Sequence, residues 1–142
     1  MLIDHAAIAR LVPHAGAMCL LAGVTRWDDA GIDCIAEGHR AATNPLRRDG
    51  RLGILCGVEY AAQAMALHGA LRAPGDRPRG GFLASLRNVA WHTDRLDLLP
   101  GPLLVAAERL HGEADRVIYN FELRHGDHLL LEGRAAVVLA AA

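Results

Sequence analysis

Glu59 is the first residue that needs a chemical explanation. It lies near the start of residues 54–72, a stretch rich in Ala, Leu and Met whose only charged residues are Glu59 and Arg72. A carboxylate in the first turn of a helix is favoured by the helix dipole, by about 0.3–1 kcal/mol. Burial acts the other way and pushes a carboxyl group towards use as a general acid or base. Gln63 follows one turn later on the same face, so Glu59 and Gln63 form a polar stripe on an apolar helix. Backbone N–H groups at a helix start have no intrahelical partners. Those around Gly57 and Val58 could therefore polarise a thioester carbonyl and hold an oxyanion. Gly57, without a side chain, would let the carbonyl come close.

The eight histidines divide by position. His68 follows Glu59 by nine residues, which is about 13.5 Å and half a turn along a helix, so the two cannot serve one reacting centre. His125 and His128 flank a turn, and two His without a third ligand nearby are a weak metal signal, so no metal site is assigned. His14, before the first strand, and His39, at the end of the second, remain as candidate general bases. Arg40, Arg47, Arg48 and Arg51 share their loop with a single acid, Asp49, and Arg72, Arg77 and Arg79 share theirs with Asp76. Both basic loops abut the ends of the 54–72 helix and could meet a phosphate or an acidic partner protein.

Several other chemistries are excluded. All 15 basic residues are Arg, so no lysine can form a Schiff base or complete a P-loop. The one serine, Ser85, is not in a G-x-S-x-G elbow. A net charge of -1 argues against nucleic acid as the partner. Three cysteines without a C-x-x-C pair, and an acidic residue where a signal peptide would be basic, suggest a cytoplasmic protein. No apolar run is long enough for a membrane span. With 142 residues, 52% of them hydrophobic, the chain is expected to be one domain over residues 1–142.

These residues need a frame. Asp4 is placed to cap a short helix over residues 5–11, which Pro13 stops. Strands are expected over 18–27 and 32–37, joined by a turn at Asp28-Asp29-Ala30-Gly31. Residues 40–53 form a loop, 54–72 the long buried helix, and 72–81 a second loop. Four more strands follow over 82–93, 103–110, 117–124 and 129–139, with hairpin signals at 112–115 and 126–127. Strands joined by hairpins imply an antiparallel sheet. One buried helix after the second strand suggests an α+β fold of about five to six strands curled around that helix. Exposed sheet edges in so small a unit favour pairing with a second one.

The segment Val12-Pro13-His14-Ala15-Gly16-Ala17-Met18-Cys19-Leu20-Leu21 resembles the opening of hotdog-fold 3-hydroxyacyl-acyl-carrier-protein dehydratases. Asn44-Pro45-Leu46 and Gly57-Val58-Glu59-Tyr60-Ala61-Ala62-Gln63-Ala64 resemble their loop and central-helix motif. With Gly133-Arg134-Ala135, the likeness is greatest to the dehydratase-like proteins of aryl polyene biosynthesis clusters. The resemblance covers about the whole chain. It implies a hotdog fold assembled as a dimer, and elimination of water from a 3-hydroxyacyl thioester to give a trans-2-enoyl thioester. A His would remove the C2 proton, and Glu59 would match the helix acid that protonates the leaving hydroxyl. The family's Gly-His-Phe-Pro motif has no counterpart in the loop before Glu59, which contains no His between His39 and the helix.

The resemblance implies no resident cofactor, the substrate being carried on the phosphopantetheine of an acyl carrier protein or on coenzyme A. It implies an acyl carrier protein as partner, and either a homodimer or a heteromer with another hotdog subunit. Glu59, His39 and His14 are the expected catalytic set; Gly57, Val58, Gln63, Asn44, Arg47, Arg48 and Arg51 are the expected substrate-binding set. Two alternatives stay open. A hotdog thioesterase can activate water with one helix carboxylate, and a dehydratase-like subunit can bind an acyl chain without turning it over.

Overall fold

The computed structural model describes residues 1–11, 18–73, 81–113 and 115–139. Strand β1 (Ile3–Asp4) runs into helix α1 (His5–Leu11), where the Asp4 carboxylate accepts the Ala7 N–H at 2.9 Å as a cap. Strands β2 (Gly23–Asp28) and β3 (Gly31–Ala36) form a hairpin. Asp28 makes its turn, with Oδ1 accepting the N–H groups of Ala30 at 2.9 Å and Gly31 at 3.0 Å. Helix α2 (Gly57–Arg72) follows, then β4 (Gly81–Trp91), β5 (Leu103–Gly112), β6 (Arg116–His125) and β7 (His128–Leu139). Gly126, at φ +58°, turns β6 into β7 in a conformation that favours glycine.

All strand pairs are antiparallel, in the order β1-β2-β3-β5-β6-β7-β4. Among the described residues the sheet has seven strands rather than five to six. The addition is β1, whose two residues are too few to show a period. Strand β4, fourth in sequence, lies at an edge and pairs with β7.

Helix α2 packs on β3, β5 and β6. Tyr60, Ala61, Ala64, Leu67 and His68 are fully buried along it. Inward side chains alternate along the strands, as the two-residue repeat of a strand requires: Val105 and Ala107 on β5, Tyr119, Phe121 and Leu123 on β6. Between them, Glu108, Asn120 and Glu122 line a depression of about 540 Å3 that also includes Arg26, Asp33 and Arg134.

Two boundaries differ from the sequence pattern by more than two residues. Residues Ile54–Cys56 form a 3-10 turn leading into α2 rather than its first turn. The first expected strand, 18–27, starts only at Gly23. Leu20 N–H is taken by the Gln63 side chain instead of a neighbouring strand, at 2.9 Å. An apolar run reports burial, and here it is burial against a helix.

Candidate active site

The start of α2 is built from three separate stretches of chain. The first clamp joins residues 52–54 to 94–97. Leu96 N–H donates to Leu52 O at 2.8 Å, and Ile54 N–H donates to Asp94 O at 3.0 Å. Asp97 Oδ1 accepts Leu52 N–H at 3.0 Å and Arg95 Nε–H at 3.0 Å. The Arg95 guanidinium and the Leu52 N–H hold the buried Asp97 carboxyl well below the usual carboxylate range. The 3-10 turn then donates Cys56 N–H to Gly53 O at 3.0 Å, and Gly57 N–H to Ile54 O.

Gly57 is buried where α2 meets the sheet. A Cβ there would lie 2.7 Å from Leu131 Cδ2 and 3.0 Å from Leu123 Cδ2. The missing side chain thus lets the helix approach β6 and β7. Its N–H is already engaged by the preceding turn, unlike the open helix start expected from sequence. Glu59 lies half-buried in the first turn of the helix.

The second clamp is Gln63, 1% exposed. Its Oε1 accepts Leu20 N–H at 2.9 Å and its Nε2 donates to Met18 O at 2.6 Å. Both ends of the amide therefore fasten residues 18–20 to the helix. Asn44 is the third clamp. Its Nδ2 donates to Gly38 O at 3.1 Å and to the Tyr60 hydroxyl at 3.0 Å, while Oδ1 accepts Leu46 N–H at 2.9 Å. This one side chain ties the 38–46 loop to α2. Burial raises the Tyr60 pKa, and the Asn44 hydrogen bond opposes that rise.

His39 is 1% exposed and donates Nε2–H to Leu99 O at 2.8 Å. Its Nδ1 is buried without a hydrogen-bond partner among the described residues. His39 is thus tied to residues 94–101, the same stretch that clamps residues 52–54. His14, Arg77 and Arg79 lie outside the described residues. In the first basic loop, the Arg47 guanidinium donates to Gly50 O at 2.9 Å and Arg40 O at 2.9 Å, closing the loop on itself. Arg48 is exposed and donates to Arg47 O at 2.8 Å. Arg51, also exposed, bridges backbone to backbone with Arg48.

At the other end of α2, His68 is fully buried. Its Nε2–H donates to Asp28 O at 2.7 Å, and its Nδ1 accepts the Tyr119 hydroxyl at 2.7 Å. Burial lowers the His68 pKa, with Arg72 and Arg109 adding to the effect. Burial pushes the Tyr119 pKa up to about 12. His125, paired with His128 across the β6–β7 turn, donates to Pro100 O. Among the described residues, no three His, Cys, Asp or Glu side chains are grouped to hold a metal ion, and no helix is long and apolar enough to cross a membrane.

Sequence reasoning missed Tyr60 and the Arg95-Asp97 pair. The available signal for Asp97 was one acid inside Leu96-Asp97-Leu98-Leu99, an apolar stretch that otherwise reads as core.

The family model for ApeP-like proteins, described as ApeP dehydratase, matches residues 6–141. Curated protein sequences give no match. Among solved structures, the ApeI:P dehydratase heterocomplex from Xenorhabdus doucetiae has a TM-score of 0.81 and 21% identity, over 94% of this chain and 91% of that one. A thioesterase from Haemophilus influenzae gives 0.67 and 12% identity, over 99% and 95%. AziG of S. sahachiroi gives 0.63 and 16% identity, over 94% and 100%. At these identities the structural likeness speaks for the fold, which is the hotdog fold.

Proposed function

Since the chain belongs to the ApeP-like dehydratase family, we propose that it takes part in dehydrating 3-hydroxyacyl thioesters carried on an acyl carrier protein. The observation that carries this is Glu59, an acid half-buried in the first turn of an otherwise apolar central helix, within Gly57-Val58-Glu59-Tyr60-Ala61-Ala62-Gln63. In the reaction a base takes the C2 proton. The C3–O bond breaks as the Glu59 carboxyl gives a proton to the leaving hydroxyl. Water and a trans-2-enoyl thioester result. The Val58 N–H and, in competition with its 3-10 bond, the Gly57 N–H would face the thioester oxygen. His39 and His14 are the candidate bases, acting in the cytoplasm without a resident cofactor.

Gln63 and Asn44 support this role by holding chain segments against the helix rather than by offering free polar atoms. Arg48 and Arg51, exposed in the loop before α2, suit the acidic surface and phosphodiester of a carrier protein. The free edge of β4, with Leu86 and Trp91 exposed, suits a second hotdog chain, identical or related. The heterocomplex of the Xenorhabdus doucetiae relative supports the related-chain arrangement.

A second function, thioester hydrolysis, draws on the loop before α2, which has no His beyond His39, and on the fold shared with thioesterases. A non-catalytic subunit draws on the sealed position of His39. Mass spectrometry of a 3-hydroxyacyl carrier protein incubated with the pure protein separates the three. Loss of one water is expected. Release of the acyl chain would mean hydrolysis, and binding without turnover would mean a partner subunit.

A further inference from the structure

Asp97 is the one fully buried carboxylate among the described residues. It sits in the irregular stretch between β4 and β5. A carboxylate out of water is costly unless it is both paired and hydrogen-bonded. Asp97 meets both conditions. The Arg95 guanidinium grips its two oxygens, Nε–H on Oδ1 at 3.0 Å and an Nη2–H on Oδ2, and Leu52 N–H donates to Oδ1 at 3.0 Å. A well-packed apolar residue often serves stability as well as a buried ion pair does, so stability alone is a weak reason for Asp97.

What the carboxylate holds gives a better reason. Leu52 is fastened at both ends, its N–H by Asp97 and its O by Leu96 N–H at 2.8 Å. Gly53 is bridged to Arg95, and Ile54 N–H donates to Asp94 O at 3.0 Å. Cys56 N–H then donates to Gly53 O at 3.0 Å, and Gly57 N–H to Ile54 O. Gly57 opens α2, with Glu59 in its first turn. Each step from Asp97 to that turn is a hydrogen bond to backbone, so a shift at Leu52 is passed on to the helix start. On the other side, Leu99 N–H donates to Leu96 O at 3.2 Å, and Leu99 O accepts the His39 Nε2–H at 2.8 Å. Residues 94–99 therefore hold His39 and the lead-in to Glu59 in one piece.

We infer that Asp97, gripped by Arg95, is a positioning residue for the Glu59 carboxyl: it fixes residues 52–54 and, through them, the depth and direction at which α2 begins. The inference rests on the proposed role of Glu59 in the dehydration. Asp97 acts on the reaction without touching the substrate. A misplacement of about 1 Å in a reacting group can cost about 100-fold in rate. The acyl group and its carrier are bound by other contacts, so the loss should fall on kcat and spare KM.

The experiment joins steady-state rates of water loss from a 3-hydroxyacyl carrier protein with two-dimensional amide NMR of the full chain. Asp97→Ala should lower kcat about 10- to 100-fold, keep KM within about threefold, and move the amide signals of Val58 and Glu59. Asp97→Asn should lose less, because its side-chain oxygen still accepts the Leu52 N–H. Arg95→Gln leaves the carboxylate in place and should lower kcat about three- to tenfold, which keeps the test open if Asp97→Ala fails to fold. His68→Ala is the control: it weakens the far end of the same helix and should leave kcat within about threefold and the Val58 and Glu59 signals in place. An equal loss of kcat in His68→Ala would make the effect one of general stability and overturn the inference. So would a loss confined to KM, or native kcat in the folded Asp97 and Arg95 variants. If the wild type shows no turnover, the dehydratase function falls and the NMR decides alone: Val58 and Glu59 signals unmoved by the Asp97 variants would overturn the positioning, and moved ones would uphold it.

Discussion

The two ends of α2 are held by opposite means. At the start, three loops are clamped by Asn44, Gln63 and Asp97, each of which bonds to backbone groups of another stretch. At the end, one buried imidazole joins the helix to the β2–β3 turn and to β6. The first end keeps a carboxylate half-open and is assembled from irregular chain. The second closes over a fully buried imidazole. Loops lack a ladder of their own, so positioning them takes many side-chain bonds to otherwise unmet backbone groups. A helix end packed between strands needs far fewer. The proposed chemistry sits at the end with many parts, where local chain can be arranged around a reacting group.

The sharpest separation of the two ends is in turnover. Glu59→Gln keeps shape and hydrogen bonding but removes proton transfer, so the rate should fall by about 10²–10⁴-fold. Its denaturation midpoint should stay near that of the wild type. A variant with near-native rate would remove Glu59 from the chemistry. His68→Ala should do the reverse, costing about 2–4 kcal/mol of stability through the cavity and the two partners left unmet. Chemical denaturation measures that loss. Gly57→Val comes next, at about 1–3 kcal/mol, because its Cβ would press on Leu131 and Leu123. If Gly57→Val were neutral, the close approach of helix and sheet would not be what requires a glycine there.

Acid should separate the ends by pH. The folded pKa of His68 lies below its ordinary 6.5, so the unfolded chain takes up that proton first. Stability from His68 is full above about pH 6.5 and declines as pH falls below it. Asp97 is also lowered, from 3.8, so its contribution is full above about pH 3.8 and is lost only in stronger acid. Amide exchange, corrected for its intrinsic pH dependence, should show the end of α2 loosening between about pH 6 and 5 while residues 52–54 stay protected. Simultaneous loosening would mean that the ends are one cooperative unit.

The smallest effect concerns the loop arginines. Arg48→Ala with Arg51→Ala should slow carrier-protein association at low salt and change folding stability by less than about 0.5 kcal/mol. The difference should vanish as salt shortens the Debye length below about 8 Å. Stopped-flow association at two ionic strengths measures it. Arg47 is expected to behave differently, because its guanidinium closes the loop.

The sequence pattern carried the helix, the four later strands and the β2–β3 turn, because their periods and turn residues are local. Residues 18–22 misled because an apolar run has the same appearance against a helix as in a sheet. Gly57 was legible as a close approach but not by what: the neighbours are Leu123 and Leu131, far along the chain. Asp97 was hidden for the same reason, since Leu52 lies 45 residues away. The separation of His68 from Glu59 needed only helix geometry, and it was readable at once. Tyr60 hid behind its type, since a Tyr in an apolar helix first suggests core, and only the structure shows its hydroxyl accepting from Asn44.

The strand order also sets a timetable for synthesis. β4 leaves the ribosome before β5, β6 and β7, yet its strand partner is β7, the last to appear. The nascent chain therefore carries an unpaired strand until three more have been made, and such a strand can recruit the wrong neighbour. Pairing across that span makes folding slower than in a protein of local contacts. A stop codon ahead of His128 would remove β7 and leave both β4 and one side of β6 without their strand partner, so the damage would reach the middle of the sheet.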